Sequence, residues 1–184
     1  MLKHGILGLL NYGPMTGYEI KEVFQDSLSH FWTAQTSQIY RELQTLKKNG
    51  WVTDERIPQE GKPDKKPFTI TEEGRAELRR WLEDSGIPRE TNSPLLMKTF
   101  FLGELPAKES IAFFQRVIEE NRGFLSGIQQ AGGAVGFYKE RVSDEKTALY
   151  WQMTLEYGVM HYEMVSKWAE HCMEKIKEME SSTF

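Results

Sequence analysis

Apolar positions recur at helical spacing over most of the chain, with one short interval of alternation near residue 55. Leu2 to Tyr12 brings Ile6, Leu7, Leu9 and Leu10 close together and predicts a short, strongly apolar helix, broken by Asn11, Gly13 and Pro14. Thr16 with Glu19 three residues on has the capping-box pattern. It opens a second helix whose buried side is predicted as Tyr18, Ile20, Val23, Phe24 and Leu28. Ser29 to Trp32 leads into a third stretch, Thr33 to Trp51, where Ile39, Leu43 and Leu46 define one buried face. Thr33 and Thr36 are its N-cap candidates, Gly50 sits where a left-handed C-cap is wanted, and Lys47 and Lys48 suit the last turn.

From Trp51 to Ile57 the period changes to that of a strand. Pro58 to Pro67 then reads as a basic turn containing Gly61, Lys62, Lys65 and Lys66, and Phe68, Thr69 and Ile70 form a second strand. Thr71, followed by Glu72 and Glu73, caps a fourth helix with the stripe Leu78, Trp81 and Leu82, expected to pack back on the first. Ser85 to Ser93 gathers Gly, Pro and polar residues and is the linker candidate.

The second half has no strand pattern. Pro94 to Gly103 is a short apolar helix with Leu95, Leu96, Met97, Phe100, Phe101 and Leu102. Pro106 fits a first-turn position of a long helical run to about Val142, which the Gly132-Gly133 pair weakens or breaks. Ser143 or Asp144 caps a last helix reaching about Met179. That helix carries two apolar stripes. One holds Tyr150, Met153, Tyr157, Met160, Met164 and Trp168; the other holds Leu149, Leu155, Val159, Tyr162, Val165 and Cys172. A helix apolar on more than one side needs cover on more than one side. A second copy of the chain is therefore expected over Tyr150, Met153, Leu155, Tyr157, Met160, Tyr162, Met164 and Trp168.

These elements predict a mainly α chain with a small β-wing. A winged helix-turn-helix occupies 1–87, and an all-helical dimerisation domain occupies 94–184. The outer face of the third helix carries Gln35, Thr36, Ser37, Gln38, Tyr40, Arg41, Gln44 and Thr45, with Glu42 the one carboxylate in that stretch. Amides and hydroxyls suit base edges, and Arg and Tyr suit phosphates, so this face fits the major groove of DNA. Lys62, Lys65 and Lys66 in the wing can reach phosphates beside it.

Composition narrows the picture. The formal charge of −4 on 184 residues argues against an indiscriminate nucleic-acid binder, which is usually basic overall, and leaves room for a local basic surface. Cys172 is the single cysteine, so no intrachain disulfide forms, and a reducing, cytoplasmic setting is expected. The apolar N-terminus is too short for a membrane span. Chemistry is poorly supported: His4, His30, His161 and His171 are scattered without metal-ligand spacing, and no phosphate-binding glycine loop is present. No enzyme, metal or cofactor is implied.

With these features in view, the sequence resembles the PadR family of transcriptional regulators, in its longer form. The resemblance runs through H-G-I-L-G-L-L (4–10), G-P-M-T-G-Y-E-I (13–20), F-W-T-A-Q-T-S-Q-I-Y-R-E-L-Q-T-L-K-K-N-G-W-V (31–52), F-T-I-T-E-E-G-R (68–75), L-L-M-K-T-F-F (95–101) and T-L-E-Y-G (154–158). It implies a homodimeric repressor on a pseudo-palindromic operator, dimerised through the C-terminal helices. Tyr40 matches the family tyrosine of the recognition helix, and Gln35, Ser37, Gln38 and Arg41 fall on DNA-facing positions. Phenolic-acid sensors of the family release DNA when a small aromatic acid binds between the domains. The corresponding pocket here is expected where the first helix meets the C-terminal helices, near Asn11, Phe100, Trp151 and Tyr157. Two alternatives stay open: a winged helix that docks another protein, with the helical half as adaptor, and an activator in place of a repressor.

Overall fold

The computed structural model describes residues 1–28, 31–59, 64–86, 92–139 and 145–182 of the chain. They divide between two compact units, Met1–Gly86 and Ile87–Phe184. As expected, the chain is mainly α with one small antiparallel sheet.

In the first unit, α1 (Leu2–Leu10) packs against α3 (Thr36–Lys48) and α4 (Glu72–Glu83), and α2 (Gly17–Val23) packs against α3. The core holds Ile6, Leu7, Leu10, Ile20, Phe24, Ile39, Leu43, Leu46, Val52, Phe68 and Ile70, all buried. Thr16 caps α2 as its spacing predicts. Its hydroxyl accepts from the Glu19 amide at 3.2 Å, and the Glu19 carboxylate accepts from the Thr16 amide at 2.7 Å. The chain then widens into a π-helical turn over Phe24–Leu28. Two core expectations fail here. Tyr18 and Leu82 both face solvent, the former on α2 and the latter at the end of α4. In α4 the buried positions are instead Gly74 and Glu77, because Glu77 is neutralised by cations from two directions.

The third helix begins at Thr36, between the starts that caps at Thr33 and at Thr36 would give, and neither threonine is its N-cap. Gln35 is the N-cap residue, and its amide donates to Gln38 Oε1 at 3.0 Å. At the other end Gly50 takes φ +73, which an L side chain adopts only with strain. The Gly50 amide donates to the Lys47 carbonyl and the Trp51 amide to the Leu46 carbonyl, both at 3.0 Å, closing a Schellman motif.

The sheet has three strands in the order β1-β3-β2: β1 (Met15–Thr16), β2 (Val52–Asp54) and β3 (Pro67–Ile70). Val52 faces Ile70 and Asp54 faces Phe68 across the hairpin. Val52, Phe68 and Ile70 are buried while Thr53 and Thr69 are exposed, the alternation of a half-covered sheet. The strand β1 was not expected. Met15 pairs with Phe68 and Thr16 with Pro67, an extended dipeptide too short to give a periodic pattern. A single bridge, Ile57 to Lys65, continues the hairpin into the wing.

In the second unit, Ser93 caps α5 (Pro94–Phe101), its hydroxyl accepting from the Leu96 amide at 3.3 Å. A 3₁₀ turn, Leu102–Glu104, leads to α6 (Ala107–Lys139). The Pro106 carbonyl accepts the first amides of α6, which puts Pro106 just before the first turn. The helix continues through Gly132 and Gly133 without a break. The caps expected at Ser143 and Asp144 lie outside the described residues. Helix α7 (Glu145–Ser181) packs along α6. Phe114, Ile118 and Ala169 are buried between them, with Trp168, Cys172 and Ile176 at the margin.

Candidate nucleic-acid interface

Gln35, Thr36, Ser37, Gln38, Tyr40, Arg41, Gln44 and Thr45 are all exposed on α3, while Ile39, Leu43 and Leu46 on its opposite face are fully buried. Several of these outward groups have local engagements. Gln38 Oε1 accepts from the Gln35 amide at the helix N-terminus, which leaves its second lone pair and the Nε2 donors for an adenine edge. Thr45 Oγ1 donates to the Arg41 carbonyl at 3.1 Å. The Tyr40 ring lies over Gly17, where an added Cβ would come within 2.6 Å of the ring. Tyr40 thus spaces α3 from α2 through contact with a bare backbone. Arg41 carries no ion pair among the described residues.

The wing is built on ion pairs across the hairpin. Asp54 on β2 accepts from Lys47 at 2.5 Å and from Lys66 at 2.7 Å. Arg56 pairs with Asp64 at 2.6 Å. Lys66 also lies 5.9 Å from the centre of the Phe68 ring. The Lys65 side chain is exposed and without a carboxylate partner among the described residues, its backbone held by the bridge to Ile57. Lys62 lies outside the described residues. The Asp54 carboxyl is held below the usual carboxylate range by its hydrogen bonds to Lys47 and Lys66.

A second polar cluster supports α1 against α4. Glu77 Oε1 accepts from Lys3 at 3.0 Å and lies 3.2 Å from His4 Nε2, and Glu77 Oε2 accepts from Arg80 at 2.6 Å. His4 stacks on Trp81 with ring centres 4.6 Å apart. Burial lowers the His4 pKa, whereas Lys3 and His4 hold Glu77 low. Sequence reading did not single out Asp54, Gly17, Gly74 or this cluster. The Asp54 signal was there in outline: one acid in a strand, with lysines in the preceding helix and in the following loop.

On α7, Tyr150, Met153, Tyr157, Met160 and Met164 are exposed and recur at alternate spacings of three and four. Of the other expected dimerisation residues, two have aromatic partners within their own unit. Tyr162 stacks on Phe124 at 5.0 Å, Trp168 meets Phe114 edge-on at 5.5 Å, and Leu155 is half-buried. Burial pushes the Tyr162 hydroxyl and the Cys172 thiol up in pKa. Of the expected effector residues, Asn11 in the first unit accepts from Arg75. In the second unit Phe100 and Tyr157 are exposed and Trp151 is half-buried. No described helix is long and apolar enough to cross a membrane, and the described residues include no metal-binding cluster.

Over 130 residues the chain is 35% identical to the negative transcriptional regulator PadR of Bacillus subtilis, a match spanning 70% of this chain and 71% of that one. The chain belongs to the PadR family. Residues 6–80 match the transcriptional regulator PadR-like family, and residues 91–177 match the domain described as virulence activator alpha C-term. The crystal structure of B. subtilis PadR in complex with operator DNA superposes with a TM-score of 0.80 at 30% identity, covering 95% of this chain and 98% of that one. The structure of the same protein with p-coumaric acid gives 0.73 at 28% identity, covering 96% and 98%. This PadR-family protein is a transcriptional regulator with a DNA-binding winged helix, and not an enzyme.

Proposed function

We propose that this regulator is a homodimeric repressor that binds a two-fold-related operator and leaves it when a small aromatic acid binds. The observation that carries the reading is the α3 face: eight exposed positions rich in amides and hydroxyls, backed by three fully buried aliphatics. Gln35, Thr36, Ser37 and Gln38, in the first turn, are the base readers in this scheme, with Tyr40, Arg41 and Lys65 on phosphates. The exposed α7 stripe supplies the dimer contact. Two recognition helices then have to sit about 34 Å apart, one turn of DNA. A ligand weakens DNA binding only through its preference for the protomer arrangement that fits DNA less well.

The relatives support the sign and the effector class. B. subtilis PadR is named a negative regulator and has been crystallised with operator DNA and with p-coumaric acid. Activation is the second reading, favoured by the virulence-activator description of the C-terminal domain. The two differ in where the operator lies relative to the promoter. The protein-docking alternative finds no support among these relatives. In this reading the protein works in the cytoplasm, alongside the DNA it controls.

The test is binding to duplexes from the upstream region of its own coding sequence against random duplexes over a salt series. A preference of about a thousand-fold or more, at a stoichiometry of two chains per site, is expected. Addition of p-coumaric acid should then lower operator affinity. Equal affinity for both duplexes at every salt concentration would reject the reading.

A further inference from the structure

Asp54 is an acid in the wing hairpin of a DNA-binding unit, where its charge repels phosphate. Its side chain is only 6% exposed, and each of its oxygens takes a different ammonium: Oδ1 that of Lys47, at 2.5 Å, and Oδ2 that of Lys66, at 2.7 Å. Lys47 belongs to the last turn of α3, and Lys66 stands at the root of the wing, one residue before β3. One carboxylate therefore joins the recognition helix to the wing. Both lysines remain about half exposed, at 47% and 51%, and so would be able to meet phosphates if released. A carboxylate this buried is tolerated because it is doubly paired.

Resting on the DNA-binding reading, we propose that Asp54 is a positioning and specificity-determining residue: it fixes the wing to the recognition helix and withholds Lys47 and Lys66 from the DNA backbone. Phosphate contacts carry affinity without sequence information, so each lysine withheld lowers binding to random DNA more than it lowers discrimination. The two wing lysines consequently have different tasks. Lys65, without a carboxylate partner among the described residues, contacts phosphate; Lys66 holds the wing.

The experiment uses the full-length protein and measures affinity for random and operator duplexes by fluorescence anisotropy across a salt series. Each phosphate neutralised contributes about 0.9 to the slope of log affinity against log salt. Lys66→Ala is expected to leave the slope on random DNA nearly unchanged, whereas Lys65→Ala lowers it by about one per protomer engaged. Asp54→Asn keeps the size and removes the charge. It is expected to tighten binding to random DNA, steepen the slope by about one to two per protomer, and lower the operator-to-random ratio several-fold. Adding Lys66→Ala to Asp54→Asn should return about one unit of that slope.

A full unit lost in Lys66→Ala alone overturns the proposal, and that result does not depend on Asp54→Asn folding. So does an Asp54→Asn protein that binds both duplexes more weakly with an unchanged slope, since Asp54 is then structural only. A wild-type protein with neither operator preference nor salt slope removes the DNA-binding reading and this proposal with it. A wild-type protein that discriminates normally while Lys66→Ala loses its unit removes the proposal alone.

Discussion

Gly74→Ala separates a packing requirement from helix propensity at the joint of the winged helix. Gly74 lies in the first turn of α4, and its amide donates to the Thr71 cap hydroxyl at 3.1 Å. A Cβ built there falls closer to the Trp51 carbonyl oxygen than carbon and oxygen approach without a bond. It also lies 2.9 Å from Ile70 Cγ1 and 3.0 Å from the Trp51 carbonyl carbon. The obstructing group is backbone and cannot rotate aside. It is moreover fixed, because the Trp51 carbonyl accepts from the Thr71 amide at 3.0 Å while Thr71 Oγ1 donates to the Gly50 carbonyl at 2.7 Å. Overpacking of this kind costs about 1–3 kcal/mol, and weakening the Thr71 amide bond adds about 1 kcal/mol. Alanine returns about 1 kcal/mol of helix propensity at most. The net is a loss of about 2 kcal/mol, or about 8–16 °C in the melting temperature of a unit this size. Calorimetry at fixed protein concentration reads it. Gly123→Ala, exposed on α6 with nothing within 4 Å of the added carbon, is the control, expected to hold or raise stability. A Gly74→Ala protein as stable as wild type would refute the close approach.

Further outcomes follow from the polar clusters and from α7. The His4 pKa is lowered by burial, so the unfolded chain takes up its proton first; this stability is present above the ordinary histidine value of about 6.5 and declines as pH falls below it. Glu77, lowered by Lys3 and His4, acts in the same direction at pH below the ordinary carboxylate range. Urea midpoints of the first unit should therefore fall from pH 7 to pH 5 in wild type and much less in His4→Phe; identical profiles would count against the His4 assignment. In the proposed dimer, Met160→Glu should raise the dissociation constant about a hundredfold, as burying an unpaired carboxylate costs about 3 kcal/mol or more, and sedimentation over a concentration series reads the change. An undisturbed dimer would move the interface off this stripe. Gln38→Ala should lower operator affinity more than random affinity; equal losses would mean that Gln38 serves the helix start and not the bases.

The fold was legible wherever a single element carried its own signal. The buried triad Ile39, Leu43 and Leu46, the Thr16 and Thr71 caps and the Gly50 turn all stand where local spacing put them. What escaped depends on residues distant in sequence. Met15 and Thr16 become a strand only because Phe68 and Pro67 lie beside them. Glu77 is buried only because Lys3 and His4 come from α1 to meet it. The cap residue of α3 was not legible because threonine is the better cap by preference, while Gln35 and Gln38 provide the cap in place. On α7 the two stripes were visible, but periodicity did not show which of them α6 covers. Tyr162 of one stripe and Trp168 at the end of the other both pack on α6, while Tyr157 and Met160, in the stripe that holds Trp168, face solvent. Asp54 joins two elements only because Lys47 comes from α3 and Lys66 from the wing to meet it.

The proposed function requires two copies of α3 to read bases in a symmetric site. The most direct test is a selection of bound duplexes from a random library by the purified wild-type protein, repeated at increasing salt. One enriched motif is expected, with two inverted half-sites whose centres lie about 10 base pairs apart, retained as salt rises and lost in the Gln38→Ala protein. Recovery of unrelated sequences at low salt and of none at high salt would contradict it.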